Sequence, residues 1–210
     1  MYTQLLPQGA PRVLAVKLSV IGERSVRSNH PWIFTDSIEK INKEGMPGDI
    51  AIIFSHSKNK AIGVGLYDPD SPIRIKMVHF NGGATLNKAF FSEKIKKAYA
   101  LRVPLLRTKT NSYRLLFGEN DGFPGCIADV YAKVLVVKLY SKIWIPYLKD
   151  IIDSLIAVSG VETVVIRLSR KLQQDTSVTL EDGCVIYGSL DNQTIISVSY
   201  THLRAHETKA

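Results

Sequence analysis

The sequence has little of what marks secreted or membrane-spanning proteins. It contains only two cysteines, Cys126 and Cys184, which lie far apart and outside any CxxC motif. Isolated cysteines of this kind are typical of reduced, buried thiols in cytosolic proteins. No stretch approaches the roughly 18 apolar residues of a membrane-spanning helix, and the N-terminus has no basic segment followed by an apolar run. We therefore expect a cytoplasmic protein that is not inserted in a membrane.

Motifs that mark catalytic sites are missing as well. The sequence contains no Walker loop and no Ser/His/Asp arrangement. Gly63 and Gly65 lack the third glycine of a dinucleotide-binding fingerprint, and a strand-like run continues after them. Glu119 and Asp121 lie among glycines and a proline, where turn formation explains them better than catalysis or metal binding. We therefore expect neither catalytic residues nor metal ligands.

What the sequence does contain is an excess of positive charge in its first half. The net charge is +8, and residues 1–110 carry 17 Lys and Arg against 8 Asp and Glu. Residues 111–210 carry 10 against 11. Such a field favours a polyanionic partner, either nucleic acid or an anionic membrane surface. A generally basic surface without a specific partner is an equal alternative on charge alone.

Short apolar segments in the first part of the chain predict a small β-barrel. Four or five short strands and one short helix at this spacing are typical of such a fold. After the apolar residues 32–34, Ile38 and Ile41 continue the apolar run at a spacing that predicts either helical or 3₁₀ structure. Trp32 and Phe34 are expected in the core, with base stacking as the alternative. Strands are predicted at residues 13–21, 50–54, 61–67 and 73–77.

The second half predicts an α+β domain. Asn81-Gly82-Gly83 is a boundary signal, and amphipathic helices are predicted over residues 86–101 and 145–158. Gly160 is expected to end the second helix. Mixed helices and strands in this order are typical of α+β domains. Strands are predicted at residues 113–117, 127–131, 134–140 and 163–168, with two more near residues 184–187 and 194–196.

Cationic side chains in the first half are candidate RNA-binding residues. The set comprises Arg24, Arg27, His30, Lys58, Lys60, Arg74 and Lys76. Arg24, Arg27 and His30 precede Pro31, where we expect a helix terminus whose free N–H groups add to the side-chain charge at a phosphate. Solvated surface charge is the alternative for all three, and capping before Pro31 is a further alternative for His30.

A second part of this set lies in one predicted strand. Arg74 and Lys76 alternate there with apolar residues, so we expect them on one exposed basic face. Lys58 and Lys60 are expected near that face. Double-stranded RNA presents phosphates and 2′-hydroxyls across a wide minor groove, which suits such a surface. A charged edge strand that resists aggregation is an equal alternative.

Two groups of short motifs stand out beside these charges. The first comprises His30-Pro31-Trp32-Ile33-Phe34, Gly48-Asp49, Gly63-Val64-Gly65-Leu66-Tyr67 and Ser71-Pro72-Ile73-Arg74. The second comprises Tyr113-Arg114-Leu115, Gly118-Glu119-Asn120-Asp121-Gly122-Phe123-Pro124-Gly125 and Asp129-Val130-Tyr131. The first group is similar to a PUA domain, named for pseudouridine synthases and archaeosine transglycosylases. Together the two groups resemble the S-adenosylmethionine-dependent large-subunit ribosomal RNA cytosine-5 methyltransferases.

That resemblance implies a fold and a partner. In the family a PUA domain comes first, a strand-strand-helix-strand-strand domain second, and a Rossmann-like methyltransferase domain third. We therefore expect an α+β protein with a PUA-like small β-barrel at residues 11–80 and the family's central domain at residues 81–196. The implied partner is RNA, in particular ribosomal RNA.

The family's third domain has no counterpart in this sequence. An S-adenosylmethionine site of that kind needs a Gly-rich turn between a parallel strand and a helix, and nothing after Thr163 offers one. The family's nucleophilic cysteine belongs to that domain, and neither Cys126 nor Cys184 matches it. The resemblance therefore implies an inactive RNA-binding fragment, with S-adenosylmethionine bound only in the intact parent.

The end of the chain departs from the family pattern. Residues 197–210 resemble a translated sequencing adapter, so we interpret them as extraneous. His202 and His206 form an HxxxH pair there, but Leu203 stands where a zinc metalloprotease has glutamate. Truncation would uncover apolar surface near residues 195–196, so we expect some self-association.

Two alternatives to this interpretation stay open. The first is that the chain is a complete, stand-alone PUA-type RNA-binding adaptor. The second is that it is a fragment of another RNA-modification enzyme, such as a pseudouridine synthase. A reading frame that continues for about 200 residues, the size of one more domain, would favour the methyltransferase fragment. A natural stop codon after residue 196 would favour the adaptor.

Overall fold

Two β-sheets organise the chain. The structure, a computed structural model, describes residue 6, residues 10–108 and residues 110–190. The first sheet has six strands and the second has five, and the second follows the first along the chain. Within the described ranges, no helix is both long enough and apolar enough to cross a bilayer.

The first sheet curls so that its two edges approach each other. Its strands are β1 (Val13–Leu18), β2 (Trp32–Phe34), β3 (Ile38–Ile41), β4 (Ile50–Phe54), β5 (Ala61–Tyr67) and β6 (Ile73–Phe80). They lie in the order β2-β6-β5-β4-β1-β3, with β1 and β4 parallel and the other pairs antiparallel. The edge strands β2 and β3 are joined by one 3₁₀ turn, Thr35–Ser37. Four residue steps span at most about 14 Å, so the connection holds the two edges together.

Residues 32–41 form two strands joined by the 3₁₀ turn Thr35–Ser37, so the helical or 3₁₀ spacing predicted for this run is confirmed only at that turn and is wrong for the residues on either side. Ile33 pairs with Ile75 of β6, and Ile38 pairs with Leu18 of β1. Ile33 is buried in the core of the first sheet. These cross-strand contacts outweigh the local helical spacing, because strand stability depends on pairing and burial more than on intrinsic preference.

A short helix, α1 (Val20–Arg27), follows β1. Ser19 is its N-cap, and the Ser19 Oγ accepts a hydrogen bond from the N–H of Gly22 (3.2 Å). The strand predicted through residue 21 therefore ends three residues earlier, because the serine side chain starts a helix instead.

The second sheet is covered on one face by two helices that pack against each other. The elements are α2 (Lys88–Leu106), β7 (Ser112–Phe117), β8 (Cys126–Tyr131), β9 (Val134–Leu139), α3 (Leu148–Ser159), β10 (Thr163–Leu168), α4 (Arg170–Gln173) and β11 (Val185–Tyr187). Among the residues that the structure describes, the strand order is β11-β10-β9-β8-β7, with β9 and β10 parallel and the other neighbouring pairs antiparallel. Gly160 ends α3 with a φ of 65°, as predicted.

The structure confirms most of the strands and helices predicted for the second half. The strand predicted near residues 194–196 lies outside the described residues, and so do residues 197–210, which stay only a predicted extraneous tail. The division at residue 81 and the self-association stay predictions.

A shared core joins the two sheets. Phe91 lies at its centre, with ring centroids 5.3 Å from Tyr147 and 6.3 Å from Trp144. The same buried cluster includes Val64 of β5 and Val78 of β6. Because residues of both sheets pack into one apolar cluster, the first sheet has a fixed orientation relative to the second.

Candidate nucleic-acid interface

The basic end of α1 is its C-terminus. Asn29 adopts a left-handed backbone conformation (φ 61°), and the N–H groups of Asn29 and His30 donate to carbonyls of the last helical turn. This is the Schellman pattern that ends a helix. Arg24 and Arg27 lie in the last turn, where carbonyls and not N–H groups are free. The predicted phosphate contact with free helix N–H groups is therefore wrong, and a phosphate contact here depends on side chains.

Glu23 ties α1 to the loop between β4 and β5, residues 55–60. Its carboxylate accepts hydrogen bonds from the N–H of His56 (2.6 Å) and from Arg27 Nη2 (2.7 Å). The bond from His56, followed by the bond from Arg27, holds the pKa of Glu23 below its ordinary value. The Glu–Arg spacing of four indicates the helical pair in the sequence, but the contact with the loop is visible only in the fold.

This arrangement brings Arg27, Lys58 and Lys60 around one cavity of about 520 Å³. All three side chains are exposed. Among the described residues, Lys58 and Lys60 have no ion-pair partner, whereas Arg27 also pairs with Glu23. The remaining lining residues are Ser55, Ser57, Ala61, Ile62 and Asn81. Three of the seven predicted cations thus share one site.

Arg24 and His30 lie close to this site along the chain and are also exposed. Arg24 is one helical turn before Arg27. His30 Nδ1 lies 2.9 Å from the carbonyl oxygen of Trp32 and 3.2 Å from its backbone nitrogen, so the imidazole tautomer decides whether Nδ1 donates or accepts. The two rings meet edge to face at 6.0 Å. His30 therefore caps the turn before β2 and keeps part of its ring accessible.

Arg74 and Lys76 lie away from the cavity. Lys60 precedes β5 and Arg74 lies near the start of β6, so the antiparallel pairing puts them at opposite ends, roughly 25 Å apart along the strands. Lys76 is only 7% exposed, and its Nζ contacts Asp68 Oδ2 at 2.6 Å. The exposed basic face predicted for Arg74 and Lys76 beside Lys58 is therefore wrong, because the second sheet domain packs over this part of β6.

The aromatic residues of β2 flank a buried isoleucine. Strand alternation directs Ile33 into the core, so Trp32 and Phe34 face outward. Phe34 is 44% exposed, which makes its predicted core position wrong. Trp32 is half-buried, and its Nε1 donates to Glu119 Oε1 of the second domain (3.2 Å).

Turn formation and burial account for the acidic pair Glu119 and Asp121 and for Cys126. Glu119 and Asp121 form a 3₁₀ turn, as predicted, and Asp121 pairs with Arg102 (2.6 Å). Burial raises the pKa of Cys126 to about 12, so its thiol is protonated at neutral pH. Cys184 is half-buried and also unpaired. The part of the chain that the structure describes contains no cluster of three or more His, Cys, Asp or Glu that could hold a metal ion.

Lys17 and Lys40 were not singled out from the sequence. They lie directly opposite each other on β1 and β3, on the outer side of the first sheet. The alternation around Lys17 indicates an outward side chain. Its lysine neighbour could not be found from the sequence, because the pairing of β1 with β3 is a tertiary contact.

Both parts of the chain resemble known proteins. Residues 16–80 match the family model of a PUA-like domain. A ribosomal RNA large subunit methyltransferase from Deinococcus radiodurans is 36% identical over 193 residues, which cover 89% of this chain and 47% of that protein. The ribosomal RNA large subunit methyltransferase I of Shewanella frigidimarina is 37% identical over 131 residues, which cover 61% of this chain and 32% of that protein. The chain spans about half the length, or less, of these curated relatives.

Solved structures share the fold at low sequence identity. A candidate SAM-dependent methyltransferase from Streptococcus mutans superposes with a TM-score of 0.69 at 14% identity, over 83% of this chain and 43% of that one. The crystal structure of a candidate methyltransferase in complex with SAH gives a TM-score of 0.68 at 14% identity, over 85% and 43%. The predicted α+β fold with an N-terminal PUA-like domain is confirmed, as is homology to large-subunit ribosomal RNA methyltransferases.

Proposed function

We propose that this chain is the RNA-binding part of a cytoplasmic, S-adenosylmethionine-dependent ribosomal RNA methyltransferase. The observation that carries the proposal is the cavity at which Arg27, Lys58 and Lys60 meet, on the part of the chain that matches a PUA-like domain. Lys58 and Lys60 have no carboxylate partner among the described residues, whereas Arg27 also pairs with Glu23. Such cations attract phosphates, because phosphate contacts release condensed counterions. The names of the relatives favour ribosomal RNA over other polyanions.

The second sheet domain serves as a spacer in this proposal. It shares a buried core with the first domain, so it holds the cationic cavity at a fixed distance and angle from whatever follows it in the chain. Such rigid spacing suits an enzyme that binds RNA at one site and modifies it at another.

Methyl transfer to cytosine-5 belongs to the intact parent in this proposal. The described residues do not fit S-adenosylmethionine, because β9, in the one parallel pair of the second sheet, is followed by Tyr140-Ser141-Lys142 and not by a Gly-rich turn. The share of the Deinococcus radiodurans protein that the chain leaves uncovered supports a separate methyl-transfer domain there. We assign no chemical step to the residues of this chain.

Binding to a large-subunit ribosomal RNA transcript at several salt concentrations tests the proposal. Replacing Arg27, Lys58 and Lys60 together by alanine should weaken binding about tenfold or more at physiological salt. It should also reduce the slope of log affinity against log salt by about 3, since each phosphate contact contributes about one. Fluorescence anisotropy with labelled RNA measures both quantities.

A matched control removes three exposed lysines from the second domain. The triple variant Lys96→Ala, Lys97→Ala, Lys133→Ala loses the same charge and should keep the wild-type affinity and slope. An equal loss in both variants would show diffuse attraction without a defined site. Wild-type binding that does not change with salt would contradict the proposal outright.

A further inference from the structure

A second cationic feature lies on the outer face of the first sheet. In the strand register Lys17 of β1 faces Lys40 of β3 on one side and Phe54 of β4 on the other. Strand alternation buries Leu14, Val16 and Leu18, so Lys17 faces outward. The three side chains therefore form a row across adjacent strands.

This row is electrostatically unfavourable in the isolated chain. Like charges directly opposite on neighbouring strands destabilise a sheet. Among the described residues neither Lys17 nor Lys40 has an ion-pair partner, and the Glu39 carboxylate of β3 lies 3.8 Å from His56 Nε2. An anion from outside would relieve the repulsion between the two lysines.

The row borders a cavity of about 400 Å³. That size falls within the roughly 300–1,000 Å³ of pockets that hold small organic groups. Half-buried Phe54 lines it together with Ala15 and Val16, while Asn42, His56 and Asn59 add polar groups. The Asn42 Oδ1 accepts from the N–H of Ala15 (2.8 Å), and the Asn42 amide nitrogen has no partner among the described residues.

We propose that this cavity holds an unpaired nucleotide of single-stranded RNA, with the base against Phe54 and the flanking phosphates beside Lys17 and Lys40. Unpaired bases stack on aromatic side chains and offer their edges to polar groups, whereas paired bases inside a duplex are not available for such contacts. The inference rests on the proposed RNA-binding function and extends it to a second subsite.

The two subsites are adjacent. Ser55 and Ser57 line both this cavity and the cavity of Arg27, Lys58 and Lys60, so the 55–60 loop is the wall between them. One RNA strand that crosses this loop contacts both sets of cations. Glu23, which holds the loop through the N–H of His56, acts as a positioning residue for both.

The test compares a single-stranded RNA decamer with a duplex of the same sequence. The double variant Lys17→Ala, Lys40→Ala should bind the single strand about tenfold more weakly and lower its salt slope by about 1.4. Phe54→Leu should weaken single-strand binding several-fold without changing the slope, because stacking releases no counterions. Duplex binding should change less than about twofold in either variant, since the duplex does not reach this cavity.

Controls separate this inference from the proposed function. Lys96→Ala with Lys133→Ala removes the same charge and should leave both affinities unchanged. The lysine double variant should unfold at or above the wild-type temperature, because its like-charge repulsion is gone, so a loss of binding cannot be attributed to misfolding. If the wild-type chain binds neither RNA, the proposed function fails. If only the Arg27, Lys58 and Lys60 variant loses affinity, or the Lys17 and Lys40 variant loses single strand and duplex equally, the second subsite fails and the proposed function stands.

Discussion

At the scale of single residues, Asp49 shows how one side chain organises two segments. Its carboxylate accepts hydrogen bonds from the N–H groups of Arg12 and Met46, both at 2.8 Å, and pairs with the Arg12 guanidinium (2.9 Å). It is buried and therefore depends on these partners. The turn at residues 46–49 and the entry into β1 are thus held by the same charge.

Replacing Asp49 by asparagine should lower the free energy of unfolding at pH 7 by about 2 kcal/mol, since hydrogen bonds to charged groups contribute about 1.5–3 kcal/mol. Burial opposes the charge, but the bonds from Met46 and Arg12 prevail and lower the pKa of Asp49 from its ordinary value of 3.8. A lowered folded-state pKa means that the carboxylate stabilises the fold above its unfolded pKa. That stabilisation is lost as the pH falls through the lower folded value.

Urea unfolding between pH 7 and pH 2 measures this difference. The difference in free energy of unfolding between wild type and Asp49→Asn should narrow as the solution becomes acidic, because the wild-type carboxyl is then neutral too. Asp36→Asn, a change at an exposed carboxyl, is the control and should follow the wild type throughout. A gap between wild type and Asp49→Asn that stays constant with pH would rule out the charge as its source.

At the scale of secondary-structure elements, the glycines of β5 permit close contact with β6. A Cβ atom at Gly65 would lie 2.5 Å from Ile75 Cγ2 and 2.8 Å from the carbonyl oxygen of Lys76. The pairing of β5 with β6 also shifts register between Val64 and Gly65. Two glycines within one strand are typical of such a close approach.

Gly65→Ala should therefore lower the free energy of unfolding by about 1–3 kcal/mol, the usual range for overpacked cores. Gly83→Ala is the matched control, because the nearest atom to its added Cβ is 4.0 Å away. That variant should be neutral or slightly more stable, since alanine restricts the unfolded chain. Chemical denaturation measures the free energy of unfolding of both variants. Equal values would show that β5 and β6 can move apart around the added Cβ atom without loss of stability.

At the scale of the whole molecule, a buried ion pair lies where the two domains meet. Lys76 Nζ contacts Asp68 Oδ2 at 2.6 Å, and the Ser141 Oγ of the second domain donates to the same oxygen (2.7 Å). Nearby, Lys142 of the second domain pairs with Asp70 of the first (2.9 Å). The positive charge of Lys76 is therefore paired with a carboxylate inside the protein and does not face a ligand at the surface.

Lys76→Met should destabilise the chain by about 3–5 kcal/mol, because it leaves Asp68 buried without a countercharge. The double variant Asp68→Asn, Lys76→Met removes both charges and should recover most of that stability. Measured where it is folded, the double variant should bind RNA as tightly as the wild type. A clear loss of RNA affinity in the folded double variant would show that Lys76 contributes to RNA binding.

Local sequence patterns were sufficient to predict part of this structure. Short apolar runs predicted β4, β5 and most of the second sheet, and glycine and proline positions predicted the turn at residues 118–125. The short motifs carried the resemblance that implied a PUA-like domain and methyltransferase homology. These features depend on residues close together in the chain.

Only the tertiary structure decided which cations share a surface. Strand pairing placed Lys17 beside Lys40, the contact between Glu23 and the 55–60 loop placed Lys58 beside Arg27, and the second domain buried Lys76. Each of these outcomes depends on contacts between residues far apart in sequence. A linear pattern records how a side chain relates to its neighbours along the chain, but burial and strand register depend on the partner that packs against it.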